Sequence, residues 1–268
     1  MRILITGAAG SIGSELVRQL APNNKVYGLD TNETDLFDLV EETGIGYRVG
    51  DIRDENTVRD TFSDFKPEVV YHAAAYKHVT PMELFPLEAI KTNINGLYNV
   101  MHYSKVYPVK KFVFISTDKA VNPNSVMGAT KRVGEIMIKN QGKGYVVVRF
   151  ANVLGSRGSL IPIWERQIAR GEPITVTHPY MERYFMTIPE AVNLVIEGSK
   201  IGKGGEIMVL DMGKPIKILD LAKEIISNLK RGEVKITGTR PGESLNEKLM
   251  LEEEEAVAIK SGKFYIIK

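Results

Sequence analysis

The chain contains no cysteine, which excludes disulfides, thiolate metal sites and a cysteine nucleophile together. It carries little net charge. Against 35 basic residues stand 33 acidic ones, a formal +2, so its overall electrostatics give no reason to expect nucleic acid. Long apolar runs are missing as well: hydrophobic stretches are short and broken by charge, far below the roughly 20 residues of a membrane span. No targeting segment is expected, because Met1 leads directly into Arg2-Ile3-Leu4-Ile5-Thr6, a strand pattern. These absences predict a soluble, cytoplasmic protein with no membrane span. His72, His78, His102 and His178 have no metal-ligand spacing with nearby acids, so no metal is expected.

What is present is an alternation. With 268 residues and 43% hydrophobic content, the chain is long enough for one large α/β domain and a smaller appended one. Strands are predicted at Ile3–Thr6, Val26–Leu29, Tyr47–Val49, Val69–His72, Phe112–Ser116 and Tyr145–Phe150. Between them the amphipathic period predicts helices at Ile12–Leu20, Glu33–Glu42, Asn56–Phe65, Pro86–Tyr107 and Val126–Gln141. That is a doubly wound parallel Rossmann sheet over residues 1–151, with ligands at the carboxyl ends of its strands. Beyond Asn152, glycine and proline break the pattern into shorter pieces. Strands are expected at Ile174–Val176 and Ile207–Val209, and helices at Ile161–Arg170, Pro189–Lys200 and Ile218–Lys230. Residues 152–268 therefore read mainly as a small α+β substrate lobe over the sheet edge, with segments able to return to the first domain. Trp164, Met181 and Met186 read as packing.

The first turn, Gly7-Ala-Ala-Gly10-Ser11-Ile12-Gly13, joins a strand to a helix. Glycine there allows close approach of a pyrophosphate, and the helix N–H groups meet its charge. Asp30 ends the second strand, 17 residues beyond Gly13; a carboxylate there can accept ribose hydroxyls and would repel a 2′-phosphate. NAD is favoured over NADP on that ground. A helix cap would suit Asp30 nearly as well. Asp51-Ile52 closes the third strand, where an adenine edge could be held, and Ala73-Ala74-Ala75 leaves room for a flat cofactor at the fourth.

The most telling stretch is Ser116-Thr117-Asp118-Lys119 followed by Met127-Gly-Ala-Thr-Lys131. It has the layout of a dehydrogenase-type site: a hydroxyl at a strand end and a lysine on the next helix. Met127 stands four residues before Lys131, where such enzymes carry a tyrosine. A thioether cannot take a proton from an alcohol, so the chemistry is either done another way or lost.

These motifs in this order resemble the extended short-chain dehydrogenase/reductase superfamily. Thr6-Gly-Ala-Ala-Gly-Ser-Ile-Gly-Ser-Glu15, His72-Ala-Ala-Ala-Tyr-Lys-His-Val79, Ser116-Thr-Asp-Lys-Ala-Val-Asn-Pro123, Val126-Met-Gly-Ala-Thr-Lys131, Arg183-Tyr-Phe-Met-Thr-Ile-Pro189 and Arg240-Pro-Gly-Glu243 are similar to its polysaccharide-biosynthesis branch. The branch includes UDP-N-acetylglucosamine 4,6-dehydratases, part of it carries the methionine, and its members commonly form homo-oligomers. The resemblance implies transient oxidation of a sugar at C-4 by NAD, loss of water across C-5 and C-6, and return of hydride to C-6. It implies Asp118 as the acid at C-6, Lys119 as the base at C-5, Thr117 on the C-4 oxygen and Lys131 on the nicotinamide ribose. Free lysine and aspartic acid, with pKa values of about 10.4 and 3.9, are both in the wrong state at neutral pH. Burial and the Lys131 charge are expected to lower Lys119, and burial to raise Asp118. For the C-4 proton, Tyr76 and a water held by Thr117 and Lys131 are the candidates. Substrate contacts are expected from Lys77, His78, Asn152, Arg183, Arg240 and Glu243, the arginines as bidentate phosphate donors. A 4-epimerase or 4-reductase, and a cofactor sensor without catalysis, are the competing functions.

Overall fold

The computed structural model describes residues 1–229 and 232–268. Its first part alternates β1 (Arg2–Thr6), α1 (Ser11–Leu20), β2 (Lys25–Asp30), α2 (Glu33–Thr43), β3 (Gly46–Val49), α3 (Glu55–Phe65) and β4 (Val69–His72). Then come α4 (Val79–Leu84), α5 (Pro86–Ile90), α6 (Leu97–Val106), β5 (Lys111–Thr117), α7 (Val126–Lys139) and β6 (Tyr145–Phe150). Valine, isoleucine and phenylalanine fill the central strands, and β4 and β6 are buried along their whole length. That is what a sheet covered by helices on both faces requires. The predicted strands and the doubly wound class agree with this architecture, in the order β3-β2-β1-β4-β5-β6 with every neighbouring pair parallel. Two apolar cores lie on its faces, one around Leu16, Val17 and Val195, the other around Phe62, Val100 and Phe114.

The predicted helix Pro86–Tyr107 is not uniform. A π-helical turn, Lys91–Gly96, separates α5 from α6. Such a turn inserts one residue and re-aims its neighbours. Here it drives Asn93 inward to 2% exposure. Asn93 Oδ1 accepts from the Tyr76 N–H at 2.8 Å, and its Nδ2 donates to the Tyr76 carbonyl at 3.0 Å and to Thr130 Oγ1 at 2.9 Å. The turn thus fixes the backbone beside one of the candidate site residues. Helix α4 had no counterpart in the sequence reading.

The later segments are β7 (Asn152–Leu154), α8 (Leu160–Ala169), β8 (Ile174–Val176), β9 (Glu182–Arg183), β10 (Phe185–Thr187), α9 (Ile188–Ile201), β11 (Ile207–Leu210), β12 (Ile216–Lys217), α10 (Ile218–Leu229) and β13 (Val234–Ile236). The chain ends in α11 (Glu252–Val257), β14 (Ile259–Ser261) and β15 (Phe264–Ile267). The end expected for the last long helix, Lys230, falls outside the described residues. Three two-stranded pairs, β10 with β7, β12 with β9 and β13 with β8, surround a small core of Trp164, Ile168, Val176, Met181 and Ile218. Met186 packs instead into the core of the large sheet.

Strand β11 does not stay with these pairs. It runs parallel to β6, and β15 adds antiparallel to β11, with β14 outside it, making nine strands. A buried ionic cluster ties this return together. Arg149, fully buried on β6, pairs with Glu135 of α7 at 2.7 Å and with Glu254 of α11 at 2.6 Å. It also donates to the Leu249 carbonyl at 3.0 Å.

Candidate active site at the carboxyl ends of the strands

The β1–α1 turn is built so that only glycine fits. Gly7 has φ +69°, and a Cβ there would lie 2.6 Å from the Ala74 nitrogen; at Gly13 it would lie 1.9 Å from the Gly7 oxygen. Gly10 caps α1 without any side-chain hydrogen bond, leaving the first N–H groups of the helix available to an anion. This cradle fits a dinucleotide pyrophosphate. Gly7, Gly10, Ser11, Ile12 and Gly13 line a cavity of about 640 Å³, with Ala73, Ala75 and Lys131 on its wall. Ala74 does not line it; it is the backbone against which Gly7 closes.

Asp30 stands at the end of β2. Its Oδ2 accepts from the Ala9 N–H and its Oδ1 from the Asn32 N–H, both at 2.9 Å. The alternative of a helix cap is overturned, because Asn32 caps α2, accepting from the Asp35 N–H at 3.2 Å. Asp51 is held by Arg53, whose Nε lies 2.7 Å away, and Ile52 is buried against Gly96. None of these three residues lines the cavity.

At the end of β5 the chain turns through a short 3₁₀ segment, Asp118–Ala120, capped by Thr117. Helix α7 packs directly on that turn: a Cβ at Gly128 would lie 2.2 Å from the Lys119 carbonyl. This close approach sets Lys131 beside the cavity. Lys131 is 7% exposed, donates from Nζ to the Ile115 carbonyl at 2.5 Å, and sits 4.5 Å from the Phe114 ring centre. Burial lowers its pKa to about 8.

Thr117, Lys119 and Tyr76 line the same cavity. Asp118 is 1% exposed and opens onto an adjoining cavity of about 820 Å³, which Lys119 also borders. The Thr117 hydroxyl donates to Asp118 Oδ1 at 2.8 Å, and Lys119 Nζ donates to the same oxygen at 3.1 Å. Met127 is elsewhere. It is buried with Met82 and Ala89 in an apolar cluster and lines neither cavity. Tyr76 is 40% exposed.

Of the expected substrate residues, Lys77, His78, Asn152, Arg183, Arg240 and Glu243 all line the first cavity. Lys77 reaches Ser156 Oγ at 3.4 Å, and burial lowers its pKa. Asn152 accepts from Lys119 Nζ at 3.4 Å. Glu243 accepts from the Thr177 hydroxyl at 3.2 Å and from the Arg240 N–H at 3.1 Å. Arg183 is largely committed: its Nη atoms donate to the main-chain carbonyls of Glu182, Ser244 and Leu245 at 2.7–2.9 Å.

Two residues at the site were not foreseen. Arg157 lies over the glycine turn, its N–H donating to Ser11 Oγ at 3.1 Å and its guanidinium reaching the Ala9 carbonyl and the Asp35 carboxylate. Glu247 is the other. Its side chain is 7% exposed, its Oε2 lies 3.1 Å from Lys119 Nζ and its Oε1 3.4 Å from Arg183 Nε. The only sequence signal was a second glutamate four residues after Glu243.

The protonation expected for the acid–base pair is reversed, chiefly because Asp118 and Lys119 stabilise each other's charge. Burial alone would raise Asp118, but the Lys119 charge and the hydrogen bonds from Thr117 and Lys119 outweigh it and hold Asp118 below the usual range. Burial alone would lower Lys119, but the charges of Asp118 and Glu247 raise it instead. Burial and the neighbouring Asp118 charge push Glu247 up to about 7 against the Lys119 charge.

Comparison with known proteins shows the family and the fold. Residues 3–268 match the family described as polysaccharide biosynthesis protein. The capsular polysaccharide biosynthesis protein CapD of Staphylococcus aureus is 48% identical over 94% of this chain and 45% of its own. The chain thus spans about half the length of that relative. A UDP-N-acetylglucosamine 4,6-dehydratase (inverting) of Campylobacter jejuni and a UDP-glucose 4-epimerase of Rickettsia bellii are each 33% identical over 99% of this chain and 82% of theirs. Among solved structures, Pen from Bacillus thuringiensis superposes with a TM-score of 0.93 at 36% identity, covering 99% of this chain and 87% of its own. The UDP-glucose 4-epimerase of Thermus thermophilus in complex with NAD gives 0.80 at 25% identity, over 91% and 88%. Among the described residues no helix is long and apolar enough to cross a membrane.

Proposed function

The chain belongs to the polysaccharide biosynthesis protein family, within the extended short-chain dehydrogenases/reductases, and from that premise we propose that it is a nucleotide-sugar 4,6-dehydratase acting on UDP-N-acetylglucosamine. The observation that carries this reading is the placement of Asp118 and Lys119 side by side, 3.1 Å apart, where the two cavities meet. An elimination needs an acid and a base together at C-6 and C-5. A 4-epimerase has no use for such a pair.

NAD is the cofactor, held by the glycine turn and the open start of α1, with Asp30 toward the adenosine ribose and Lys131 toward the nicotinamide ribose. Bound, it supplies reversible hydride acceptance at C-4 of the sugar. Thr117, its own proton committed to Asp118 at 2.8 Å, orients the C-4 hydroxyl, and a water held by Thr117 and Lys131 takes that proton. This offers an answer to the tyrosine missing at Met127, with Tyr76 as the alternative. Asp118 protonates the departing C-6 oxygen, and Lys119 removes the C-5 proton. Arg240, Lys77 and His78 face the nucleotide sugar, with Arg183 bracing the wall rather than offering free donors. A homo-oligomer is proposed from the resemblance to the branch.

Incubation with UDP-N-acetylglucosamine and mass analysis of the product tests this. Loss of one water is expected. A product of unchanged mass with a new configuration would make the protein a 4-epimerase, and binding without turnover would make it a cofactor sensor.

A further inference from the structure

Asp118 Oδ2 is buried and has no donor among the conventional hydrogen bonds of the described residues. The nearly buried Glu247 carboxyl shares Lys119 Nζ with Asp118, each at 3.1 Å, and a carboxylate cannot donate. A protonated carboxylic acid can. Oδ1 of the same Asp118 already accepts from Thr117 and Lys119, so a proton on the neighbouring Glu247 would supply a donor for the Asp118 oxygen that lacks one. The other charged groups facing Glu247 are Lys119, beyond β5, and Arg183, on β9; the Arg183 guanidinium spends its Nη donors on the main chain and approaches Glu247 only at 3.4 Å.

We propose that Glu247 holds a proton in the working site, as a positioning residue that lets Asp118 and Lys119 exchange one between them. The inference rests on the dehydratase reading above. With Glu247 neutral, the Lys119 ammonium can pass its proton along the existing 3.1 Å hydrogen bond to Asp118. That gives a neutral amine and a carboxylic acid, the states the elimination needs. The amine takes the C-5 proton, the C–H electron pair forms the C-5–C-6 double bond, and the C-6–oxygen pair leaves with oxygen. That oxygen takes the Asp118 proton and departs as water. Lys119 is then an ammonium and Asp118 a carboxylate again. Once hydride has returned to C-6, Lys119 gives its proton to C-5, and the C-4 hydroxyl proton, held meanwhile by a water at Thr117 and Lys131, restores the Lys119 ammonium. An ionised Glu247 would hold Lys119 as a cation and block the exchange.

The test has two arms. In the protein without ligand, infrared spectroscopy with carbon-13 glutamate carboxyls should reveal a protonated glutamate that titrates near pH 7, absent in Glu247→Gln. In turnover, the wild type should lose activity about tenfold per pH unit above that pKa. Glu247→Gln, neutral at every pH, should lose that alkaline limb and exceed the wild type at least tenfold near pH ~9. No titrating glutamate band, a superimposable pH profile, or a folded Glu247→Gln inactive at every pH would each overturn the proposal. Should that variant not fold, the labelled wild-type titration decides alone. Failure of the wild type to remove water from UDP-N-acetylglucosamine would sink the dehydratase reading instead, leaving the infrared result to judge Glu247.

Discussion

Lys119 Nζ donates to Glu247 Oε2 at 3.1 Å, across 128 residues of chain. The contact brings a carboxyl group from the C-terminal part onto a turn of the parallel sheet. Glu247 is held there because the neighbouring Leu249 carbonyl and Glu254 both bind Arg149 in the core. The acid–base chemistry of the site therefore depends on how the chain end is anchored.

Arg149→Met leaves Glu135 and Glu254 buried around a missing cation. Removing one partner of such a network costs about 3–5 kcal/mol. Urea denaturation should register that loss. A change below about 1 kcal/mol would mean that the cluster does not hold the C-terminal segment.

Gly13→Ala places a methyl 1.9 Å from the Gly7 carbonyl, so the turn must open. Affinity for NAD, measured by calorimetry, is expected to fall at least tenfold. Unchanged affinity would remove the glycine turn from the cofactor site.

Thr117→Val removes the hydroxyl proposed to orient the sugar's C-4 oxygen and should lower turnover about 10²-fold, the scale of general acid–base catalysis. Thr117→Ser should recover most of it, since serine keeps the oxygen. A full rate in Thr117→Val, with a 10²-fold loss in Tyr76→Phe, would return the C-4 proton to the tyrosine.

Lys131 has a folded pKa of about 8 against 10.5 for the free group. Between those values the unfolded chain binds more protons, so stability should rise as pH increases from about 8 to 10.5. Lys131→Met should flatten that rise. Denaturant midpoints across this range for both proteins would show it, and identical slopes would mean that Lys131 is not perturbed.

The Rossmann half was legible because its signals are local. Alternating runs such as Ile3–Thr6 and Val69–His72, the glycine turn, and the Ser116–Lys119 strand end each lie within one segment, and period and turn chemistry suffice to read them. The π-helical turn at Lys91–Gly96 was not legible, because nothing in helix periodicity marks one inserted residue. Its reason is tertiary, the demand of Tyr76 and Thr130 for Asn93. Strand β11 was visible as a strand, but only its pairing with β6 assigned it to the large sheet.

By itself the sequence determined the sheet class, the cofactor turn and the side chains able to do acid–base work, since each follows from residue type and short spacing. Which of those groups carries the proton was decided by tertiary structure alone. A pKa responds to burial and to charges a few ångströms away: Asp118 and Lys119 act chiefly on each other from adjacent positions, but their burial, and the arrival of Glu247 from 128 residues along the chain, exist only in the fold.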